Sequence, residues 1–351
     1  MIFQLCEACN RHGIESHVLY LSASGQVKDY EPYHNHVIHS SKLDCDVAST
    51  GISMSSLKKL KALAATVDII HYHFPWPFMD VAHFTCRINK PSIVTYHSDI
   101  VKQKYLLKLY EPLMNKFLSS VDLIVASSPN YTQSSSVLVK HRKNTCVIPF
   151  GLDDNAAPKG KGGGKKRWEH RLGKEFFLFV GALRYYKGLD FLLEAAAKTK
   201  LTVVIAGGGK EELKLKERAR DLGLDNIHFV GMVSDEDKFT LLSMAKAFVF
   251  PSHLRSEAFG ISLLEAAMLG KPMISCEIGT GTTFINRHEE TGLVIPPRDV
   301  GALVEAMNRL SDNEELCKQF GAAARQRFEE LFSVDVMARK YVEKYREVIE
   351  A

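Results

Sequence analysis

Residues 247–270, which read AFVFPSHLRSEAFGISLLEAAMLG, decide the fold class of this chain. The run Ala247–Phe250 is continuously apolar, as is typical of a parallel strand that is covered on both faces. A helical pattern follows over Ile261–Leu269, and Gly270 with Pro272 supplies its stop signal. A buried strand that leads through a loop into a helix is the repeating unit of a parallel α/β sheet.

The same alternation of strand and helix runs through both halves of the chain. In the first half, strands are predicted at Val67–Tyr72, Ser92–Tyr96, Val121–Ala126 and Thr145–Ile148, and helices at Leu57–Ala65, Tyr105–Leu118 and Tyr131–Val139. In the second half, further strands are predicted at Phe176–Val180, Thr202–Ala206, Ile227–Val230, Met273–Cys276 and Leu293–Ile295, and helices at Gly188–Lys198, Glu211–Leu222 and Glu236–Ala245. The pattern predicts an α/β protein with two doubly wound, Rossmann-like domains.

Residues 151–174, GLDDNAAPKGKGGGKKRWEHRLGK, interrupt this rhythm and predict a linker with a surface loop. We therefore expect an N-terminal domain over 1–155, a second domain over 156–333 and a C-terminal helix over 334–351. The basic run Lys159–Arg167 is either a solvated loop or a contact for anionic lipid headgroups.

Composition excludes several classes of protein. The 351 residues carry a net charge of only +4, so a dedicated nucleic-acid partner is not expected. No run of about 18 apolar residues predicts a membrane-spanning helix, and the opening MIFQLCEACNRHG does not resemble a signal peptide. The seven scattered cysteines suit a reducing compartment, and the Cys6–Cys9 pair fits helix packing better than metal binding.

The strongest candidate for a functional site is the pair Glu257 and Glu265, eight residues apart around the start of a helix. A helix N-terminus presents unbonded N–H groups and a positive dipole, which suits a diphosphate. Carboxylates beside it can accept hydrogen bonds from sugar or ribose hydroxyl groups. The alternative, two solvated glutamates, remains open on spacing alone.

Three further loops follow predicted strands. The loop FVGALRYYKG places Arg184 and Lys187 where their charges could neutralise phosphate oxygens. The loops AGGG, with Gly208, and GTGTT, with Thr280, could bring backbone N–H groups and hydroxyls to an anion. Exposed loop cations and plain turns are the competing interpretations.

Three histidines end strands in the first half: His71, His73 and His97. Such residues can act as hydrogen-bond donors or acid–base groups, although a lone histidine such as His71 is more often structural. No HExxH motif or compact ligand set predicts zinc, and no GxSxG motif predicts a serine hydrolase.

Taken together, these motifs resemble the large family-four (group 1) glycosyltransferases, retaining enzymes with a GT-B fold. The resemblance covers nearly the whole chain, and it rests on the segments DIIHYH, TYHSD, VIPFGLD, GALRYYKG, the E-x7-E element and TGLVIPP. The segments RYYKG, TYHSD and EIGTGT resemble segments of bacterial mannosyl- or rhamnosyltransferases of cell-surface polysaccharide and lipopolysaccharide synthesis.

The resemblance implies a role for each matching residue. Glu265 should accept hydrogen bonds from ribose, and Glu257 from the transferred sugar. Arg184 and Lys187 should neutralise the departing diphosphate, so that no metal and no cofactor is required. His97 should lie across a cleft near the sugar. The remaining donor contacts are expected from backbone N–H groups of Phe259, Gly260 and Ile261.

The resemblance also implies partners and a location. A nucleotide-sugar donor is expected, GDP-mannose first and a UDP-sugar second, with a glycan or lipid-linked acceptor. Such enzymes usually work in the cytoplasm at the inner face of the cell membrane, which makes peripheral membrane contact an expectation. The rival interpretations are a nucleotide-sugar-binding protein with little activity and a GT-B-shaped epimerase.

Three features depart from the family pattern. Ala182 stands where the family usually has arginine, with Arg184 two residues later as its substitute. Phe150 replaces the usual asparagine of the I-P-N-G segment. The chain also begins inside what resembles the family's first helix, so we expect the first domain to lack an N-terminal strand and its Gly-rich loop.

Overall fold

A computed structural model describes residues 1–23, 31–33, 35–100, 104–156 and 163–351. The chain divides into two compact units, one formed by Met1–Phe150 together with Val334–Ala351, and one formed by Gly151–Ser333. Part of the basic run Lys159–Arg167, residues 159–162, lies outside the described residues. Each unit is built around parallel strands, which confirms the predicted α/β class.

The described residues of the first unit form three sheets. Its strands are β1 (His17–Ser22), β2 (Glu31–Tyr33), β3 (His36–Lys42), β4 (Cys45–Val47), β5 (Thr50–Ile52), β6 (Ile70–Phe74), β7 (Ser92–Tyr96), β8 (Leu123–Ala126) and β9 (Thr145–Val147). Strands β6-β7-β8-β9 form a parallel sheet, β1-β3-β2 form a mixed one, and β4-β5 form a hairpin. Its helices are α1 (Ile2–Asn10), α2 (Met54–Thr66), α3 (Pro77–Thr85), α4 (Lys104–Ser120), α5 (Pro129–Ser134) and α6 (Ser136–Lys140).

The single helix predicted over Tyr131–Val139 is wrong, because the chain forms two helices that meet at Ser135. This residue has an extended backbone, with φ −82° and ψ 119°, and its hydroxyl accepts a hydrogen bond from the Leu138 N–H. A serine side chain that caps a new helix competes with helix continuation. The predicted packing role of Cys6 and Cys9 is confirmed, since both are buried on α1.

The second unit contains one parallel sheet of six strands in the order β12-β11-β10-β13-β14-β15. These are β10 (Phe177–Val180), β11 (Val203–Ala206), β12 (Ile227–Gly231), β13 (Ala247–Phe250), β14 (Met273–Cys276) and β15 (Gly292–Ile295). The helices are α7 (Gly163–Leu172), α8 (Leu189–Lys198), α9 (Glu212–Asp221), α10 (Asp235–Met244), α11 (Ile261–Met268), α12 (Thr282–Ile285), α13 (Val300–Asp312) and α14 (Glu314–Leu331). The strand order reverses between β10 and β13, which is where open α/β sheets bind ligands.

The loop predicted across 151–174 is wrong for its second part, which forms α7. Trp168 on this helix is buried, and its indole N–H donates to Oδ1 of Asp237 at 2.9 Å. Arg167 pairs with the same carboxylate. Tertiary contacts of one tryptophan therefore outweigh the glycine- and lysine-rich composition that indicated a loop.

The last helix, α15 (Val334–Glu350), belongs to the first unit. Its buried face packs against α1 and the parallel sheet, and the shared core includes Leu5, Cys9, Ile93, Val125, Ile148, Met337, Tyr341 and Tyr345. This face repeats at helical spacing, so the amphipathic pattern of residues 334–350 has a direct structural reason.

Candidate functional site

The loops after β10 and β13 form the candidate site of the second unit. Both loops leave the carboxyl ends of adjacent strands at the point where the strand order reverses. The first loop carries Arg184 and Lys187, and the second carries Glu257 and leads into α11. The topology thus brings together two motifs that lie about 70 residues apart in the sequence.

Backbone contacts hold the two loops against each other. Gly188 has a left-handed backbone with φ +69°, and a Cβ atom there would lie 2.0 Å from the carbonyl oxygen of Pro251. Only glycine allows this approach. The N–H of His253 donates to the carbonyl of Tyr186 at 3.0 Å, and the hydroxyls of Tyr185 and Ser256 are 3.3 Å apart.

Lys187 and Glu257 form a buried ion pair at the centre of this contact. Their side chains are only 9% and 11% exposed, and Nζ of Lys187 donates to Oε2 of Glu257. Ser252 donates to the same oxygen at 3.2 Å, and Nζ lies 4.4 Å from the Phe250 ring centre. Within the described part of the chain, Oε1 of Glu257 has no hydrogen-bond partner, so it can accept from a ligand hydroxyl.

Arg184 presents a different environment from Lys187. Its side chain is exposed, and the described residues give it no ion-pair partner. An exposed guanidinium without an ion-pair partner can bind a phosphate group through a bidentate fork. Neighbouring Ala182, at the position where the family pattern has arginine, is also exposed.

Helix α11 begins without a side-chain cap. Its N-cap residue is Gly260, whose φ of +99° would strain any other residue, and no side chain bonds to the first turn. Across residues 163–351 no acceptor is found for the backbone N–H of Gly260 or Ile261. These groups, together with the helix dipole, can bind an anion.

Glu265 lies one turn into α11 and has its own partner. Lys238 of α10 donates to Oε1 of Glu265 at 2.7 Å and also contacts Asp235 at 2.9 Å. Burial raises the pKa of Glu265, while the bond from Lys238 opposes this shift. The paired carboxylate keeps Oε2 for another donor, since the bond from Lys238 goes to Oε1.

The two other predicted loops are packed closely against these elements. A Cβ atom at Gly207 would lie 2.0 Å from the Gly181 carbonyl, and the N–H of Leu183 donates to the Gly208 carbonyl at 2.9 Å. Thr280 is fully buried, with its hydroxyl 3.4 Å from that of Thr282. The glycines after β11 therefore serve contact between loops, and donor binding by Gly208 and Thr280 stays a prediction.

Three residues near the site were missed by sequence reasoning. Lys238 and Ser252 contact the two glutamates, and Arg255 donates to the Gly279 carbonyl at 3.2 Å. Arg255 lies two residues before Glu257, and that proximity was the one available signal. Within the described residues, no group of three His, Cys, Asp or Glu side chains is arranged to hold a metal ion.

His97 lies in the first unit, directly after β7. Its Nε2 is 2.9 Å from Nδ1 of His73, and burial lowers the pKa of His97 to about 4. His71 is partly buried and hydrogen-bonds with Tyr345 and Thr95 at 2.8 and 2.7 Å, in agreement with its structural interpretation. At neutral pH these imidazoles are uncharged.

Comparison with known proteins identifies the family. Residues 1–156 match "Glycosyltransferase Family 4" and residues 164–327 match "Glycosyl transferases group 1". The D-rhamnosyltransferase WbpZ of Pseudomonas aeruginosa is 53% identical over 95% of this chain and 87% of its own length. The O-antigen chain mannosyltransferase C of Escherichia coli is 49% identical over 100% of this chain and 94% of its own length.

Solved structures are similar over most of the chain. Sucrose-phosphate synthase from Thermosynechococcus elongatus has a TM-score of 0.82 at 21% identity, over 99% of this chain and 92% of that one. Anabaena HepE in complex with UDP-glucose has a TM-score of 0.73 at 17% identity, over 94% and 99%. These similarities confirm the predicted GT-B fold, and together with the sequence matches they show that the chain belongs to the family-four, group 1 glycosyltransferases.

Proposed function

We propose that this protein transfers a hexose from a nucleotide sugar to a glycan or lipid-linked acceptor during synthesis of O-antigen polysaccharide. Mannose from GDP-mannose is the donor that we favour, because the two relatives described above act as a mannosyl- and a D-rhamnosyltransferase. The observation that carries the proposal is the ion pair between Lys187 and Glu257. It lies on the loops where the strand order reverses, and the second of these loops leads into the uncapped start of α11.

Each part of this site has a task in binding the donor. The open N–H groups of Gly260 and Ile261 bind the diphosphate. Glu265 accepts hydrogen bonds from the ribose, and Oε1 of Glu257 accepts from a hydroxyl of the transferred sugar. Lys187 holds the Glu257 carboxylate in one orientation through their ion pair, so that the sugar is bound in a single position.

We further propose that transfer retains the anomeric configuration and needs no metal. The bond between the sugar and the diphosphate breaks with both electrons moving to the diphosphate, which leaves with added negative charge. Arg184 and the dipole of α11 stabilise that charge, while the acceptor hydroxyl attacks from the same face of the sugar and transfers its proton to the departing diphosphate oxygen. Stabilising a leaving group in this way is electrostatic catalysis by positioned donors.

A panel of nucleotide sugars in a thermal-shift and transfer assay tests this function. GDP-mannose at about 100 times its Kd should stabilise the protein by roughly 2.7 kcal/mol. Transfer to an O-antigen acceptor should give a product with the same anomeric configuration as the donor. Greater stabilisation by UDP-glucose than by GDP-mannose would indicate that the donor is a UDP-sugar. Binding without transfer would indicate a nucleotide-sugar-binding protein, and an isomerised nucleotide sugar formed without acceptor would indicate an epimerase.

Replacing Glu265 by glutamine should raise the KM for the donor roughly 10- to 100-fold, because hydrogen bonds to a charged group contribute about 1.5–3 kcal/mol. The measurement compares the natural donor with its 2′-deoxyribose analogue. The wild-type protein should prefer the ribose donor, and Glu265→Gln should lose most of that preference. Glu236→Gln, at an exposed position on α10, is the matched control. An unchanged preference would contradict the ribose role of Glu265.

Helix α4 of the first unit is the surface that we propose for peripheral membrane contact. Tyr105, Leu106 and Leu109 are 87%, 52% and 82% exposed, and Lys108 and Lys116 are exposed on the same helix. Apolar side chains beside lysines are typical of helices that lie in the interface of an anionic bilayer. None of the helices in the described part of the chain has the length and apolar character needed to cross a bilayer.

Vesicle flotation tests this contact. The double variant Tyr105→Ser/Leu109→Ser should bind phosphatidylglycerol vesicles at least tenfold more weakly, since burying one such side chain contributes about 1.5–3 kcal/mol. Leu213→Ser is the control, because Leu213 is 77% exposed in the second unit. Equal binding by the wild-type protein and the double variant would show that α4 does not contact the membrane.

A further inference from the structure

Four aromatic rings form a continuous chain of contacts in the first unit. The ring centres of His71 and His73 are 4.5 Å apart, those of His73 and His97 5.1 Å, and those of His97 and Phe150 5.4 Å. The angles between successive rings are 25°, 24° and 19°. His73 and His97 meet edge to edge through their ring nitrogens, and Phe150, the unusual residue of the I-P-F-G segment, stacks on the His97 imidazole.

A hydrogen bond also fixes the edge of the His97 ring. Its Nε2 lies 2.9 Å from Nδ1 of His73. Among the residues that the structure describes, none hydrogen-bonds to Nδ1 of His97 or to Nε2 of His73. His97 thus has one nitrogen committed to His73 and one nitrogen that can reach a ligand.

Both histidines of this pair are uncharged at neutral pH. Burial lowers the pKa of His97 to about 4 and that of His73 well below its usual value, and nearby His71 and His97 lower the pKa of His73 further. A neutral imidazole carries one N–H, which is a donor, and one bare nitrogen, which is an acceptor. A bond between two neutral rings therefore contains a single proton.

That single proton couples the two tautomers. If His73 donates through Nδ1–H, then Nε2 of His97 is bare and the proton of His97 is on Nδ1. If His97 donates through Nε2–H, then Nδ1 of His73 is bare and its proton is on Nε2. In both cases the two rings have the same tautomer, and a mixed pair would place two protons or none between them.

We propose that His73 is a positioning residue for His97, which it holds in one ring orientation and one tautomer so that Nδ1 of His97 presents a fixed donor or acceptor to a bound substrate. This inference rests on the proposed function, because the substrate is a reactant of the transfer proposed above. His71 stacks on His73, and both of its nitrogens are bonded to Thr95 and Tyr345. At metal-binding histidines, removing the partner that fixes the tautomer typically costs 10- to 100-fold in affinity or activity.

Nitrogen-15 NMR of the histidine-labelled full chain tests the pairing without any ligand. The signals of His73 and His97 are assigned with His73→Phe and His97→Phe. In the wild-type protein both rings should have one tautomer, and it should be the same one. Opposite tautomers, or fast exchange between tautomers in both rings, would overturn the proposal even if no variant could be purified.

Enzyme kinetics then test the consequence. His73→Phe keeps an aromatic ring at this position but removes the hydrogen bond, so His97 should become a mixture of tautomers and kcat should fall about 10- to 100-fold with little change in donor KM. His73→Asn, whose amide can replace Nδ1 as a hydrogen-bond partner, should lose less of the wild-type kcat than His73→Phe does. His141→Phe is the control, because His141 is another buried histidine of the first unit, bonded instead to Asn115.

The outcomes separate this inference from the proposed function. If His97→Phe abolishes transfer while His73→Phe changes neither kcat nor the His97 tautomer, the proposed function stands and the positioning role fails. If His97→Phe transfers normally, the substrate contact of His97 fails, and the positioning role fails with it. Loss of transfer in both variants, with a mixed His97 tautomer in His73→Phe, supports both.

Discussion

Lys187→Met should lower the free energy of unfolding of the second unit by about 3–5 kcal/mol and abolish transfer. The substitution leaves the Glu257 carboxylate buried without its cation, and an uncompensated buried charge costs this much. The two side chains are 9% and 11% exposed, so water cannot replace the lost partner. Methionine preserves the length of the side chain and its packing against the Phe250 ring.

A double variant separates stability from catalysis. Lys187→Met/Glu257→Gln removes both charges and should recover most of the lost stability, while transfer stays absent. Urea unfolding is followed by Trp168 fluorescence in a Trp76→Phe background, because the chain has two tryptophans and Trp168 is buried in the second unit. Lys214→Met is the control, since Lys214 is 64% exposed in its pair with Asp190 and should contribute less than about 1 kcal/mol.

The result that would contradict this account is a Lys187→Met protein that is as stable as the wild type and transfers sugar at a normal rate. In that case the buried pair would be neither a structural element of the site nor a means of orienting Glu257. A stable but inactive Lys187→Met protein would instead assign Lys187 to chemistry alone.

Arg184→Ala should lower kcat by about 100- to 1,000-fold, the usual cost of removing one donor that stabilises developing charge. Stability should change by less than about 0.5 kcal/mol, because the side chain is exposed and has no ion-pair partner among the described residues. Arg184→Lys should recover part of the rate, since lysine keeps the charge but loses the fork. Single-turnover transfer and thermal unfolding measure the two quantities.

Arg220→Ala provides the matched control for Arg184. Arg220 is also exposed in the second unit, but it lies on α9, away from the loops after β10 and β13. Its substitution should leave kcat unchanged. If Arg184→Ala stays within threefold of the wild-type rate, other groups stabilise the leaving diphosphate. The prediction that Arg184 takes the role of the family's arginine, which is absent at Ala182, would then be wrong.

The local parts of the fold were predictable because their signals are local. The strands Ser92–Tyr96, Ala247–Phe250 and Met273–Cys276 were predicted with the bounds that the structure shows. Continuous apolar runs identify strands that are buried on both faces. The strand order itself was not predicted, because doubly wound sheets occur with more than one order.

The pairing of side chains was not predictable, because it depends on contacts between distant segments. Nothing in the sequence near Glu265 indicates Lys238, which reaches it from the preceding helix 27 residues away. The short strands β1–β5 were also missed, since they are not continuously apolar and two of them form a small exposed hairpin. Helix α7 was not predicted, because its glycines and lysines indicated a loop. The burial of Trp168 explains why a helix forms there.

The return of α15 to the first unit has a consequence for biosynthesis. Residues Met1–Phe150 emerge from the ribosome long before Val334–Ala351, which supply the core positions Met337 and Tyr341 of the same unit. The middle segment Gly151–Ser333 is complete earlier and can fold while the nascent chain is still growing. The unit that starts first is therefore expected to finish last, with its apolar surface open to chaperones until α15 has been synthesised.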